Sequence, residues 1–190
     1  MEWITRIAYV NLLWTFFSLA GLIVFGIGPA TTAMYAITRK WVTGRSDIKI
    51  LPLFWKSYRS EFLRSNALFW LLMGAGYILY IDYQYLANFE GALYIILLIV
   101  FINITLLYIL VVLYIFPVFV HFQHRIIDYF KHAFLVGVAN PLSTLSMLIC
   151  LLVLALLMER VPGLIPFFPA GLLSLLLMWF SYRAFSKMER

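Results

Sequence analysis

Apolar residues form five nearly uninterrupted stretches along the chain, separated by shorter polar segments. A bilayer core of about 30 Å needs about 20 helical residues, whose backbone polar groups bond within the helix. Each stretch is therefore predicted to cross a membrane, over residues 7–27, 66–84, 91–117, 141–158 and 164–184. The third stretch could tilt, or continue past Pro117 as a broken helix. The pattern predicts an all-α, polytopic helical membrane protein with one domain over residues 1–190.

Composition supports this class. The chain is 65% hydrophobic and 12% charged, with a mean hydropathy of +0.98, whereas soluble domains carry about 25% charged residues. A soluble fold of 190 residues could not bury so much apolar surface. Cys150 is the only cysteine, so neither an intramolecular disulfide nor a cysteine-based zinc site is possible. We predict no cofactor and no nucleic-acid partner.

Charge predicts the orientation, because basic residues flanking short loops are retained in the cytoplasm. With these five spans, twelve of the 14 Lys and Arg residues fall on one side, and only Arg6 and Arg160 on the other. The N-terminus is therefore predicted on the outer side of the plasma membrane, and the C-terminus on the cytoplasmic side. The first span resembles a signal peptide, but the seven basic residues that follow would resist translocation.

The segment between the first two spans is predicted to be helical. Gly28-Pro29 should end the first span, because proline lacks an N–H and disfavours helical geometry before it. A short helix over 30–41 follows, whose alanines permit close packing. Residues 52–64 then form an amphipathic, interfacial helix with Phe54, Trp55, Tyr58 and Phe62 opposite Lys56, Arg59, Ser60 and Arg64. We interpret Lys56, Arg59 and Arg64 as a surface that meets anionic lipid headgroups or docks a partner.

A second interfacial helix, over residues 121–136, is predicted between spans three and four. It repeats the order of span, proline and amphipathic helix, and residues 58–63 align with 130–135. This predicts a weak parallel repeat of 7–84 and 91–158, followed by the final span 164–184.

Three sets of polar residues are candidates for chemistry. His121, His124, Asp128 and His132 have helical spacing that suits a transition metal or the polar face of an interfacial helix, and we expect no metal. Asn11 and Asn103 could line a cavity or bond between helices. Tyr77, Tyr80, Tyr83 and Tyr85, near Asp82, Gln84, Asn88 and Glu90, could hold a sugar or form an interfacial aromatic belt.

The chain resembles the YesL-type family of bacterial membrane proteins, a family described as a domain of unknown function. The resemblance rests on Asn11-Leu12-Leu13-Trp14, Gly26-Ile27-Gly28-Pro29-Ala30-Thr31, Arg39-Lys40-Trp41 and Phe54-Trp55-Lys56. Asn11, Trp14, Gly28 and Pro29 are accordingly the candidate structural motif. The resemblance implies a small polytopic membrane protein of Gram-positive bacteria, often encoded beside sugar-uptake genes. It implies no catalytic residues.

We therefore predict a non-enzymatic accessory or regulatory component of carbohydrate uptake, which docks on another membrane transport component or on itself. One alternative is a small transporter or channel that acts as an oligomer. Another is a membrane enzyme on lipid-linked or glycosyl substrates, although no HExxH, Walker or GxSxG motif is present.

Overall fold

The computed structural model describes residues 2–122, 125–164 and 166–188, and all regular elements in these ranges are helices. The helices are α1 (Glu2–Ala20), α2 (Ile27–Val42), α3 (Ile50–Ser60), α4 (Phe62–Leu86), α5 (Gly91–His121), α6 (Ile126–Ala139), α7 (Pro141–Arg160) and α8 (Pro169–Met188). A 3-10 turn, Pro162–Leu164, precedes α8. The predicted all-α class is confirmed, and the predicted repeat stays a prediction.

Within the described ranges, α4, α5 and α7 are long and apolar enough to cross a membrane. The chain is thus a helical membrane protein. The helices α1 and α8, which correspond to the first and fifth predicted spans, do not reach that threshold over their described residues. Each carries charge, with Arg6 in α1 and both Arg183 and Lys187 in α8.

The first predicted span, 7–27, ends earlier than expected, because α1 stops at Ala20. A turn over residues 21–26 follows, in which Leu22 and Ile23 have φ of 57° and 64°. Gly21 and Gly26 allow this turn, since a Cβ on Gly21 would lie 2.3 Å from the Gly26 Cα. Contrary to the prediction, Pro29 does not end a helix. It lies in the first turn of α2, where its missing N–H costs no helical hydrogen bond.

The helix α2 is the centre of the molecule. Ten of its 16 residues are buried, and it contacts α1, α3, α4, α5 and α8. Ala30 and Ala33 face one core cluster with Val10 and Phe54, while Tyr35 belongs to a second cluster with the end of α5. The small residues thus permit the close packing that their sequence predicts.

The boundaries of both predicted amphipathic helices were wrong. The segment 52–64 is divided at Glu61 between α3 and α4. The segment 121–136 is divided because α5 continues to His121 and α6 begins only at Ile126. Pro117 lies inside α5, which continues past it as one helix to His121. One sequence alternative allowed this continuation, but as a broken helix.

Asn11 joins α1 to the start of α8. Its Nδ2 donates to the Pro166 carbonyl at 2.8 Å, and its Oδ1 accepts from the Gly171 N–H at 3.0 Å. Gly171 lies in the first turn of α8, where backbone N–H groups have no partner within the helix. Trp14 links α1 to α2, because its Nε1 donates to Thr31 Oγ1 at 3.0 Å. Asn103, by contrast, is exposed and donates to Ile99 of its own helix.

The described start of α1 and the described end of α8 lie on the same side of the molecule, whereas the sequence predicted opposite sides of the membrane. Arg6 Nη1 donates to the Ser46 carbonyl at 2.8 Å, so the start of α1 meets the loop after α2. Near the other chain end, the Phe185 ring of α8 packs 4.7 Å from His121, which ends α5. Arg39 Nη1 in turn donates to the Val120 carbonyl at 2.6 Å and links α2 to α5. We call this assembly the basic end.

An odd number of membrane crossings would separate the chain ends. The structure therefore does not confirm five crossings, and it places the start of α1 beside the basic loop 43–49 rather than opposite it. The first predicted span merged α1 with the following turn, whereas α2 returns antiparallel to α1. Away from the basic end, α4 and α5 form a hairpin in which residues 73–85 and 91–112 include no buried residue.

We expect Asn11→Ala to destabilise the protein by about 1–3 kcal/mol, because it leaves the buried Gly171 N–H without its Asn11 acceptor and removes the bond to the Pro166 carbonyl. Asn103→Ala is the matched control and should change stability little, since Asn103 is exposed. Thermal unfolding in detergent, followed by tryptophan fluorescence, measures both. Equal melting temperatures for the two variants would contradict the role of Asn11.

We expect Gly28→Ala to destabilise the protein by about 1–3 kcal/mol, because the added Cβ overpacks the contact between α2 and α4. That Cβ would lie 2.9 Å from the Ser65 carbonyl oxygen and 3.1 Å from Phe69 Cβ. Gly74→Ala is the control, since its Cβ would meet nothing within 4 Å. The same unfolding measurement applies, and a loss of stability confined to Gly74→Ala would refute the packing argument.

The convergence of both chain ends predicts a labelling pattern. In a Cys150→Ser background, a membrane-impermeant thiol reagent added to intact cells should label Asn88→Cys. It should not label Ile4→Cys, Ser46→Cys or Ser186→Cys until the membrane is opened. Labelling of Ile4→Cys together with Asn88→Cys would instead support the N-terminus outside.

Candidate functional site

The proposed docking surface, Lys56, Arg59 and Arg64, lies exposed on α3 and the start of α4. The opposite side of α3 packs on protein, because Phe54 is 0% exposed and stacks 5.1 Å from the Phe17 ring of α1. Trp55 does not share that burial and remains 49% exposed. Phe54 and Tyr58 are thus occupied within the chain, whereas Leu51, Trp55 and the basic side of α3 are open.

A polar cavity of about 470 Å³ lies beside this surface, where α2, α3, α4 and α5 meet. Two arginines from different helices, Arg39 and Arg64, line it together with the carboxylate of Glu61. Four further lining residues carry a hydroxyl, namely Thr32, Ser57, Ser60 and Tyr129. The others are Ala36, Phe119, Val120, His121 and Phe122. The cavity can therefore offer cations, hydroxyls and an apolar wall to one ligand.

Arg39 is the best-positioned cation of this cavity. Its bond to the Val120 carbonyl holds the guanidinium at one wall. Burial, with added repulsion from Arg45, lowers the pKa of Arg39, and an interaction with Tyr182 opposes that shift. Burial and the repulsion from Arg45 both penalise the protonated guanidinium. An anion at this wall would offset that penalty.

In the sequence, Arg39 was interpreted as a topology signal and as part of the Arg39-Lys40-Trp41 motif, and not as a site residue. A sharper signal was available, since Thr32, Ala36 and Arg39 are spaced i, i+4 and i+7 and therefore share one face of α2. A polar stripe on a helix rich in alanine and apolar residues indicates a site between helices. The opposing residues on α3, α4 and α5 could not be found in the same way, because they come from separate segments.

The histidine candidates do not converge in the part of the chain that is described. His121 is half-buried at the end of α5, and His124 lies outside the described residues. His132 Nδ1 lies 2.7 Å from the Asp128 carbonyl oxygen, within α6. Among the described residues, no three His, Cys, Asp or Glu side chains are grouped to hold a metal. The absence of a metal remains a prediction.

The tyrosines of the proposed sugar site remain exposed on α4. Tyr77, Tyr80, Tyr83 and Tyr85 are each at least 58% exposed, and Gln84 Nε2 donates to the Tyr80 hydroxyl at 2.8 Å. Their spacing spreads them over roughly half of the helix circumference. Asp82 lines a small, mainly apolar cavity of about 270 Å³ between α4 and α5. The sugar and aromatic-belt interpretations both stay predictions.

Comparison with known proteins shows a close relationship to three proteins of Bacillus subtilis (strain 168). Uncharacterized protein YteU is 40% identical over 189 residues, covering 100% of this chain and 85% of the relative. Uncharacterized protein YesV is 40% identical, covering 99% and 90%, and uncharacterized protein YesL is 37% identical, covering 99% and 88%. No solved structure is significantly similar to the chain.

The family model described as "Protein of unknown function, DUF624" matches residues 7–83. This region runs from α1 through most of α4, so it includes Asn11, Gly28 and the docking surface. The match and the full-length identities agree with the resemblance carried by the sequence motifs. The chain belongs to the YesL-type family of unknown function that this model describes.

Proposed function

We propose that the protein is a non-enzymatic membrane component that docks another membrane protein through Lys56, Arg59 and Arg64. The observation that carries this proposal is the difference in burial between the two sides of α3. Its apolar residues Phe54 and Tyr58 are buried against the chain's own helices, while its basic residues are exposed. A helix that only anchored the protein to lipid would direct its apolar residues into the bilayer instead.

The proposed setting is the bacterial plasma membrane, with the basic end in the cytoplasm. The positive-inside rule supports this orientation, because Arg39, Lys40, Arg45 and Lys49 lie at or beside the loop after α2. The contact of Arg6 with Ser46 adds a further basic residue to the same end. We propose an even number of crossings, with α3 and α6 at the inner interface and the loop 87–90 outside.

We further propose that the docked protein takes part in carbohydrate uptake. The support for this part is the family resemblance, which implies genes for sugar uptake nearby. Anionic headgroups would also interact with Lys56, Arg59 and Arg64, contributing about 1 kcal/mol per well-placed charge. Lipid and protein binding must therefore be measured separately.

We expect Lys56→Glu, Arg59→Glu and Arg64→Glu together to reduce partner binding at least about tenfold, because attraction becomes repulsion. Partners would first be isolated with the full chain in mild, neutral detergent, which removes the contribution of anionic lipid. Lys49→Glu, Arg125→Glu and Lys187→Glu together form the control, since these exposed residues give the same charge change elsewhere. Equal binding of all native partners by the wild type and the first variant would overturn the docking proposal.

The two alternative functions are separable by activity. A transporter or channel would move solute when the purified protein alone is placed in liposomes, and an enzyme would turn over a lipid-linked or glycosyl substrate. A stable complex without either activity supports the accessory role.

A further inference from the structure

Docking of a partner protein does not account for the residues that line the polar cavity. It lies between helices, and Arg39 and Ala36 line it without belonging to the docking surface. We propose that this cavity binds the phosphate ester of a small polyol, presented either by a phospholipid headgroup or by a free phosphorylated solute. This inference goes beyond the proposed function, because it requires no partner protein.

The two arginines supply the phosphate-binding chemistry. A guanidinium presents its N–H groups in a planar fork that matches two phosphate oxygens. Arg39 reaches the cavity from α2 and Arg64 from the start of α4, so the two charges come from different walls. Arg39 Nη1 donates to the Val120 carbonyl. A guanidinium carries five N–H donors, so Arg39 can also donate to phosphate oxygens in the cavity.

The remaining polar side chains suit the hydroxyls of a polyol. Glu61 can accept hydrogen bonds from them, and Ser57 and Ser60 can both donate and accept. Thr32 is 2% exposed and accepts a 2.8 Å bond from Ser65 Oγ, so its own O–H can donate to another group. A polyol ester can place hydroxyl donors at Glu61 and its phosphate at the arginines, whereas the hydroxyls of inorganic phosphate lie on the charged group itself, which favours the ester.

Size and position agree with such a ligand. The volume of about 470 Å³ falls within the range of about 300–1,000 Å³ that is usual for small-molecule sites. Phe119, Phe122 and Tyr129 provide an apolar wall along one side. The cavity lies at the basic end, near the predicted membrane interface, where a headgroup or a cytoplasmic solute could enter.

The test uses the purified full-length protein with two probes. Glycerol 3-phosphate is titrated calorimetrically in neutral detergent, and phosphatidylglycerol is titrated into phosphatidylcholine nanodiscs, with retained lipid counted by native mass spectrometry. We expect at least one probe to bind, with an affinity that falls about tenfold or more in Arg39→Gln. Binding of only the first probe identifies a solute site, and binding of only the second identifies a headgroup site.

Arg125→Gln is the matched control, because Arg125 is exposed and close in sequence to Phe122 and Tyr129 but does not line the cavity or belong to the docking surface. Its effect should stay below twofold. Since Arg39→Gln also removes the bond to Val120, we add Ser60→Leu, which fills the cavity from an exposed position and should likewise weaken binding about tenfold. Melting temperatures verify that each variant is folded.

The proposal is overturned if neither probe binds the wild type, or if Arg125→Gln weakens binding as much as Arg39→Gln. The second result would indicate a diffuse basic surface. It is also overturned if folded Ser60→Leu binds as the wild type does. None of these outcomes depends on the docking partner, so the two proposals can fail separately.

Discussion

The burial of α2 is the constraint on which the other helices depend. This helix contacts five others and separates the two core clusters, which its small residues permit. Ala30 and Ala33 are fully buried, and Gly28 brings its backbone close to the Ser65 carbonyl. Close approach of this kind replaces the hydrophobic effect as a source of helix association where the surroundings are apolar. Larger side chains at these positions would separate α1, α4 and α8 together.

The same packing creates the basic end. Because α2 returns antiparallel to α1, Arg6 meets the basic loop, and Arg39 reaches the last turn of α5. Concentrating like charges is unfavourable unless water, anionic lipid or a ligand compensates it. The docking surface and the polar cavity are two places where such compensation can occur. One is an open surface for a large partner, and the other has the size and polarity for a small anion.

Several features were predictable because they are local. The helices α4, α5 and α7 follow from long apolar runs, whose backbone hydrogen bonds must close within each segment. The exposure of Lys56, Arg59 and Arg64 follows from their spacing along α3 and the start of α4. The turn at Gly21–Gly26 was missed because its residues 22–25 are as apolar as a span. Hydropathy alone therefore could not locate the end of α1.

By itself, the sequence determined the all-helical membrane class, the family and the chemistry of the exposed basic residues, since these depend on composition and short-range periodicity. Only the tertiary structure decided that the start of α1 and the end of α8 lie at the same end of the molecule, and that Asn11 supports α8 across 160 positions of sequence. It also brought Arg39, Glu61 and Arg64 around one cavity. Such contacts join distant segments, and they depend on how helix faces pack in three dimensions rather than on any pattern within one helix.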